Sequence, residues 1–128
     1  MALLFLTKEE VLQLHEQGIE EFGGSYGLRD EGALESALLA AENRAYYEQA
    51  GLAVCAATYA YHLTQAHAFV DGNKRIGAAA ALLFIRLNDA RLKVANNEMI
   101  ELFLKIAAGE LTRDEVEQLF EQRIVMTK

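Results

Sequence analysis

Apolar residues recur three or four positions apart along most of the chain, which is the period of an amphipathic helix. The first such segment is "LTKEEVLQL". Thr7 and Glu10 have the spacing of a capping box, and Leu6 and Val11 stand where a hydrophobic staple packs. The pattern predicts a helix that starts at this box and ends near Gly23-Gly24.

Further helices are predicted downstream by the same kind of signal. Asp30 is a candidate N-cap for a second helix, with Leu34, Leu38 and Leu39 on its buried side. A fifth helix is expected over about residues 97–108, and the last begins at "LTRDEVEQL".

Two segments between these helices, about 51–66 and about 73–88, are apolar nearly all round. Helices of that kind are packed on several sides, so these two are expected at the centre of the fold. The four alanines at 78–81 would let another helix approach closely. Because alternating β-branched segments are scarce, the sequence predicts an all-α bundle of about six helices.

Composition narrows the class of protein. A chain of 128 residues that is 52% hydrophobic is expected to form one domain, residues 1–128, with a core of its own. Cys55 is the single cysteine, so no internal disulfide is possible, and a cytoplasmic location is expected. The longest apolar run, residues 76–85, is too short to cross a membrane. A net charge of −7 argues against direct nucleic acid binding.

The candidate chemistry lies in "HAFVDGNKR", between the two central helices. A helix N-terminus offers free backbone N–H groups, and Gly72 lets a ligand approach the main chain. Asn73 is expected to cap the helix or turn its amide toward a ligand. Lys74 and Arg75 add charge suited to phosphate oxygens. The alternative interpretation is a helix cap followed by two solvated cations.

Two further side chains favour the phosphate site. Asp71 supplies a carboxylate of the kind that holds hydrated Mg²⁺ beside substrate phosphates. His67 has a side chain whose usual pKa of about 6.5 suits a general base. Together they suggest transfer from a nucleotide to a hydroxyl group. Phe69 and Val70 are expected to point inward and anchor the loop.

Three other polar residues have ordinary structural interpretations. His15 is expected to be a partly exposed residue of an amphipathic helix, and Cys55 a small core residue. Arg29 either pairs across to another helix or lines the cleft, with the structural role slightly favoured.

The stretch "HAFVDGNKR" resembles the signature of the Fic/Doc family, written H-x-F-x-(D/E)-G-N-(G/K)-R. Six positions fit: His67, Phe69, Asp71, Gly72, Asn73 and Arg75. Residues 26–48 are also similar to the corresponding segment of the Doc (death-on-curing) branch. The resemblance implies the helical Fic/Doc core, with an active loop between two central helices.

Two departures separate this chain from typical Fic adenylyltransferases. Lys74 stands where those enzymes have glycine, and Ala78 where they carry a second arginine. Both features resemble Doc, whose members are understood to bind ATP inverted and to transfer its γ-phosphate. The resemblance therefore implies a protein kinase; AMP transfer and a non-catalytic binding module are the alternatives.

The roles implied by the resemblance can be assigned residue by residue. His67 would take the proton of the target hydroxyl, Asp71 would help to hold Mg²⁺, and Gly72, Asn73, Lys74 and Arg75 would bind the phosphates of ATP. The target would be a protein, as with Doc and the translation factor EF-Tu. The partner would be an antitoxin, because the inhibitory pattern S/T-x-x-x-E-(G/N) does not occur in this chain.

Overall fold

The computed structural model of the chain describes residues 2–127, and within them six helices carry the fold. The all-α prediction is confirmed. A two-stranded antiparallel sheet pairs Ala90 with Met126 and Leu92 with Ile124. The elements are α1 (Lys8–Phe22), α2 (Glu31–Glu48), α3 (Leu52–Ala66), α4 (Asn73–Leu87), β1 (Ala90–Leu92), α5 (Asn96–Ala107), α6 (Arg113–Arg123) and β2 (Ile124–Met126).

Local capping chemistry sets the start of three helices. The Thr7 hydroxyl accepts the N–H of Glu10, whose carboxylate accepts the Thr7 N–H at 2.8 Å. Thr112 and Glu115 form the same reciprocal pair at the start of α6. Asp30 accepts the N–H of Ala33 and caps α2. These bonds satisfy backbone donors that lack an intrahelical partner.

The central position predicted for α3 and α4 is confirmed. Helix α3 packs against α2, α4, α5 and α6, while α4 packs against α1, α3, α5 and β1. The two helices pack tightly at Gly77, where an added Cβ would lie 2.0 Å from Thr64 Oγ1. Of the four alanines at 78–81, Ala80 and Ala81 are buried and Ala78 and Ala79 are half-buried.

Two expectations about secondary elements are wrong. Leu39 is 51% exposed, although Leu34 and Leu38 are buried as expected. The buried side of α2 is narrow because it packs mainly on α3, so residues 34, 37, 38 and 41 cover the contact and leave position 39 outside it. The sheet was not predicted, because strands of three residues are too short to show a period of two.

No helix within residues 2–127 is long and apolar enough to cross a membrane.

Candidate active site

The α3–α4 loop, residues 67–72, is bounded by two left-handed backbone conformations. His67 ends α3 at φ 50°, and Gly72 precedes α4 at φ 79°. Glycine adopts this conformation freely, whereas a histidine held there costs on the order of 1 kcal/mol. The loop turns the chain sharply between the two central helices and so places its polar side chains at one end of the bundle.

Asn73 closes this loop with its side-chain amide. Its Oδ1 accepts the backbone N–H of Phe69 at 3.1 Å, and its Nδ2 donates to the Phe69 carbonyl at 3.0 Å. Gly72 rather than Asn73 is the N-cap of α4. The Asn73 side chain therefore shapes the loop. If Asn73 binds phosphate as predicted, it would do so through its backbone N–H.

The two residues expected to anchor the loop behave differently. Phe69 is 2% exposed and does so, but Val70 is 54% exposed. The loop is extended here, with a bridge between Leu28 and Phe69 and a bond from the Val70 N–H to the Gly27 carbonyl at 3.0 Å. Successive side chains of an extended segment point to opposite sides, so the inward placement of Val70 was wrong.

The His67 side chain is exposed at the mouth of a cleft, while its backbone carbonyl is bound by a residue just before α2. Arg29 Nη2 donates to the His67 carbonyl at 2.6 Å. This bond satisfies a carbonyl at the end of α3 and gives Arg29 the structural role that was favoured. Within residues 2–127 the imidazole itself forms no hydrogen bond, so it is open to a ligand.

Asp71 is exposed and is held by two backbone donors. Its Oδ1 accepts the N–H of Gly72 at 2.9 Å, and its Oδ2 accepts the N–H of Ser25 at 3.1 Å. These two bonds lower the pKa of the Asp71 carboxyl; desolvation opposes them, and the charges of Arg75 and His15 add smaller lowering effects. The carboxylate is therefore ionised at neutral pH.

The two cations of the motif are placed differently. Lys74 is exposed and forms no ion pair in the described part of the chain. Arg75 is half-buried and donates to the carbonyls of Gly18 at 3.0 Å and Gly23 at 2.8 Å, at the end of α1. These bonds use two of the five N–H donors of a guanidinium group, so others are left for a ligand.

All six predicted site residues line one cleft of about 850 Å³. This volume lies within the range of small-molecule sites, roughly 300–1,000 Å³. The opposite wall is the end of α5, with an ion pair of 3.2 Å between Lys105 and Glu101. The cleft is thus large enough for a nucleotide and includes Lys74, which forms no ion pair within residues 2–127.

Comparison with known proteins agrees with this geometry. A family model described as the Fic/DOC family matches residues 5–85, which run from the start of the chain through most of α4. The chain belongs to the Fic/Doc family. The resemblance of its α3–α4 loop to the family signature is therefore confirmed.

Two relatives place it on the Doc branch of Fic/Doc. The chain is 32% identical over 108 residues to "Protein kinase doc" of Escherichia phage P1, covering 84% of this chain and 85% of the relative. It is 37% identical over 90 residues to "Toxin Doc" of Mycolicibacterium smegmatis (strain ATCC 700084 / mc(2)155), covering 69% and 67%. The chain resembles both relatives over most of its length.

The donor set of this Fic/Doc chain suits Mg²⁺ better than a tightly caged metal. No group of three or more His, Cys, Asp or Glu side chains converges anywhere in residues 2–127. Mg²⁺ keeps several waters and binds through one or two carboxylates plus substrate phosphates. Asp71 fits this requirement, because Ser25 and Gly72 occupy only two of its roughly four lone-pair sites.

Residues outside the signature also support the site, and sequence reasoning missed them. His15 is 6% exposed, so its expected partial exposure was wrong. It lies with Val11 and Ile19 on one stripe of α1, four positions apart, and this spacing could have revealed it. A Cβ at Gly24 would lie 2.6 Å from Asp71 Oδ2, so the α1–α2 loop closes directly over the carboxylate.

Cys55, in contrast, is a core residue as expected. Its side chain is 0% exposed, and burial raises the pKa of the thiol to about 11. A thiol of that kind stays protonated at neutral pH and takes no part in the site.

Proposed function

We propose that this protein is a Doc-like protein kinase that transfers the γ-phosphate of ATP to a hydroxyl group of a target protein. The observation that carries the proposal is the α3–α4 loop. It holds an accessible imidazole and an ionised carboxylate, and Lys74 follows in the first turn of α4, all in one cleft. The likeness to a relative named a protein kinase supports it.

The proposed reaction gives each of these groups a role. His67 accepts the proton of the target hydroxyl as its oxygen attacks the γ-phosphorus. The bond from the γ-phosphorus to the bridging oxygen breaks, and ADP leaves. Asp71 would hold Mg²⁺, which supplies charge neutralisation at the phosphates when bound.

The phosphates themselves would be bound at the start of α4. The first N–H groups of a helix have no intrahelical partner and carry the positive end of its dipole. Gly72 and Asn73 would contribute such backbone N–H groups, and Lys74 a point charge. Arg75 would use donors that are not engaged with α1. The work of the site is positioning and charge stabilisation, as phosphoryl transfer requires.

The surroundings of position 78 favour phosphoryl transfer over AMP transfer. Ala78 lines an apolar groove between α4 and α5, together with Met99, Ile100 and Phe103. The cations of this groove, Lys74 and Arg75, lie at the start of α4, and the Ala78 side chain itself carries no charge that could compensate a polyphosphate tail. This distribution supports binding the transferred phosphate close to His67 and Lys74.

The proposal extends to a toxin with a separate antitoxin, acting in the cytoplasm on a translation factor such as EF-Tu. The likeness to a relative named "Toxin Doc" supports the proposal that the protein is a toxin. A short neighbouring gene for a DNA-binding antitoxin would be the simplest independent support.

Labelled ATP tests the reaction. The protein is incubated with candidate target proteins and with ATP labelled at the α or the γ position. We expect label on the target from the γ position only; label from the α position alone would replace the kinase proposal with AMP transfer. His67→Ala should lower the rate by about 10²–10⁴-fold, as expected for loss of a general base.

Asp71→Ala tests the carboxylate, with Asp114→Ala as the matched control. Asp114 lies in the first turn of α6 and outside the cleft. Only Asp71→Ala should lose Mg²⁺-dependent transfer. In cells, both His67→Ala and Asp71→Ala should relieve growth inhibition. If both stay as inhibitory as the parent, the protein acts as a binding module without catalysis.

A further inference from the structure

His15 is a polar side chain in the interior of the fold, and the signature of the family does not include it. It is 6% exposed and belongs to the stripe of α1 that packs on the core, between Val11 and Ile19. Burying an imidazole costs free energy unless its polar atoms find partners, and an apolar side chain would fill the space without that cost. The contacts of His15 therefore indicate what the imidazole is for.

Both contacts reach the α3–α4 loop, more than fifty positions away in the sequence. The imidazole stacks on the Phe69 ring, with centroids 3.8 Å apart and planes 12° from parallel. Its Nε2 lies 2.7 Å from the backbone oxygen of Asp71. A carbonyl oxygen only accepts, so Nε2 must carry the proton and donate it.

Together these contacts fix the peptide that carries the Asp71 carboxylate. His15 donates a hydrogen bond to the Asp71 carbonyl from the interior of the fold. The N–H groups of Ser25 and Gly72 donate to the Asp71 carboxylate at the surface. The backbone of Asp71 is thus held by a group that is itself fixed in the core. Catalytic groups need such fixed supports, because a displacement of about 1 Å can cost roughly 100-fold in rate.

We propose that His15 is a positioning residue for phosphate transfer: it orients the Asp71 peptide, and thereby the carboxylate, toward the cleft. This inference rests on the proposed function for its kinetic consequence. Its structural part, that the His15 donor orders the loop, stands on the two contacts alone. The competing explanation is that His15 only fills space between α1 and the loop.

Two variants separate these explanations. His15→Phe keeps a stacked ring and loses the donor, whereas His15→Gln keeps an N–H donor near the position of Nε2 and loses the ring. Val11→Ala is the control, because it removes buried volume from the same stripe of α1 one turn earlier. It should lower stability while leaving the His15 donor and ring in place.

Kinetics measured on folded protein give the first readout. His15→Phe should lower kcat by about tenfold and raise the Mg²⁺ concentration needed for half-maximal rate by a similar factor, as expected for the loss of one orienting hydrogen bond. His15→Gln should recover part of both losses. Val11→Ala should leave both parameters at the parent values. A His15→Phe enzyme with the parent's kcat and Mg²⁺ dependence would overturn the positioning role.

Amide hydrogen exchange gives a second readout that needs no activity. The Gly72 and Ser25 N–H groups bind the Asp71 carboxylate and report its orientation. They should exchange about three- to tenfold faster in His15→Phe than in Val11→Ala. Equal exchange in the two variants would show that His15 only fills space. If the parent transfers no phosphate, the proposed function fails, but these exchange rates still decide whether His15 orders the loop.

Discussion

Replacing Gly77 with alanine tests how closely α3 and α4 must pack beneath the cleft. The added Cβ would lie 2.0 Å from Thr64 Oγ1, 3.2 Å from Thr64 Cβ and 3.0 Å from the Ala60 carbonyl oxygen. Rotation of Thr64 could move its hydroxyl away, but neither its Cβ nor the Ala60 backbone can follow. The two central helices would therefore have to separate.

The expected magnitude follows from two opposing effects. Forcing extra atoms into a packed contact costs about 1–3 kcal/mol, and an overlap with backbone as well as side chain places Gly77→Ala at the upper end. Against this, alanine is more favourable than glycine in a helix interior by about 1 kcal/mol of folding free energy. We expect a net loss of about 2 kcal/mol in the free energy of unfolding.

Gly18→Ala is the matched control, since it makes the same chemical change inside α1 where no atom lies within 4 Å of the added Cβ. It should stabilise the protein by about 0.5–1 kcal/mol. Urea unfolding followed by circular dichroism measures both, and the midpoints should move in opposite directions with unchanged slopes. Gly77→Ala should cost less in a Thr64→Ala background, by on the order of 1 kcal/mol. A Gly77→Ala midpoint equal to that of Gly18→Ala would refute the reasoning.

Two further predictions concern the polar cluster between α2, α3 and α6. Burial, with smaller contributions from the charges of Arg113 and Arg44, lowers the pKa of His62 from its usual 6.5. Below about pH 6.5 the unfolded chain therefore binds a proton that the folded protein does not. The free energy of unfolding should fall as pH drops from about 7 to about 5, and urea titrations should show a smaller fall for His62→Gln. Glu117 pairs with Arg44, and both side chains are largely buried. Glu117→Ala should cost about 3 kcal/mol in thermal unfolding, whereas Glu101→Ala, in an exposed pair, should cost less than about 1 kcal/mol; equal costs would contradict this.

The features that the sequence predicted correctly are encoded within a few neighbouring residues. The reciprocal bonds of Thr7 with Glu10 and of Thr112 with Glu115 involve partners three positions apart. The burial of α3 and α4 can likewise be predicted from their own apolar composition, without knowing which elements pack against them. The order of the residues in "HAFVDGNKR" likewise predicts that its polar side chains lie near one another, and they line one cleft.

The failures concern contacts with other elements of the fold. Leu39 is exposed because α2 presents a narrow stripe to α3, and the width of that stripe depends on the packing partner. Val70 is exposed because the loop is extended against Gly27, which reverses the side to which it points. Both partners lie outside the element concerned, so a pattern of apolar residues within that element could not choose between its two faces.

The support for the cleft comes largely from α1 and the turn after it, and this changes how the signature can be understood. Arg75 donates to the carbonyls of Gly18 and Gly23, Asp71 receives the N–H of Ser25, and the Asp71 carbonyl receives the His15 donor. Each of these bonds joins residues that are 46 to 57 positions apart. The motif thus specifies which groups are present, while their orientation depends on α1 being docked. A change that displaces α1 and this turn from the loop should therefore weaken Mg²⁺ and phosphate binding together, because they hold both Asp71 and Arg75.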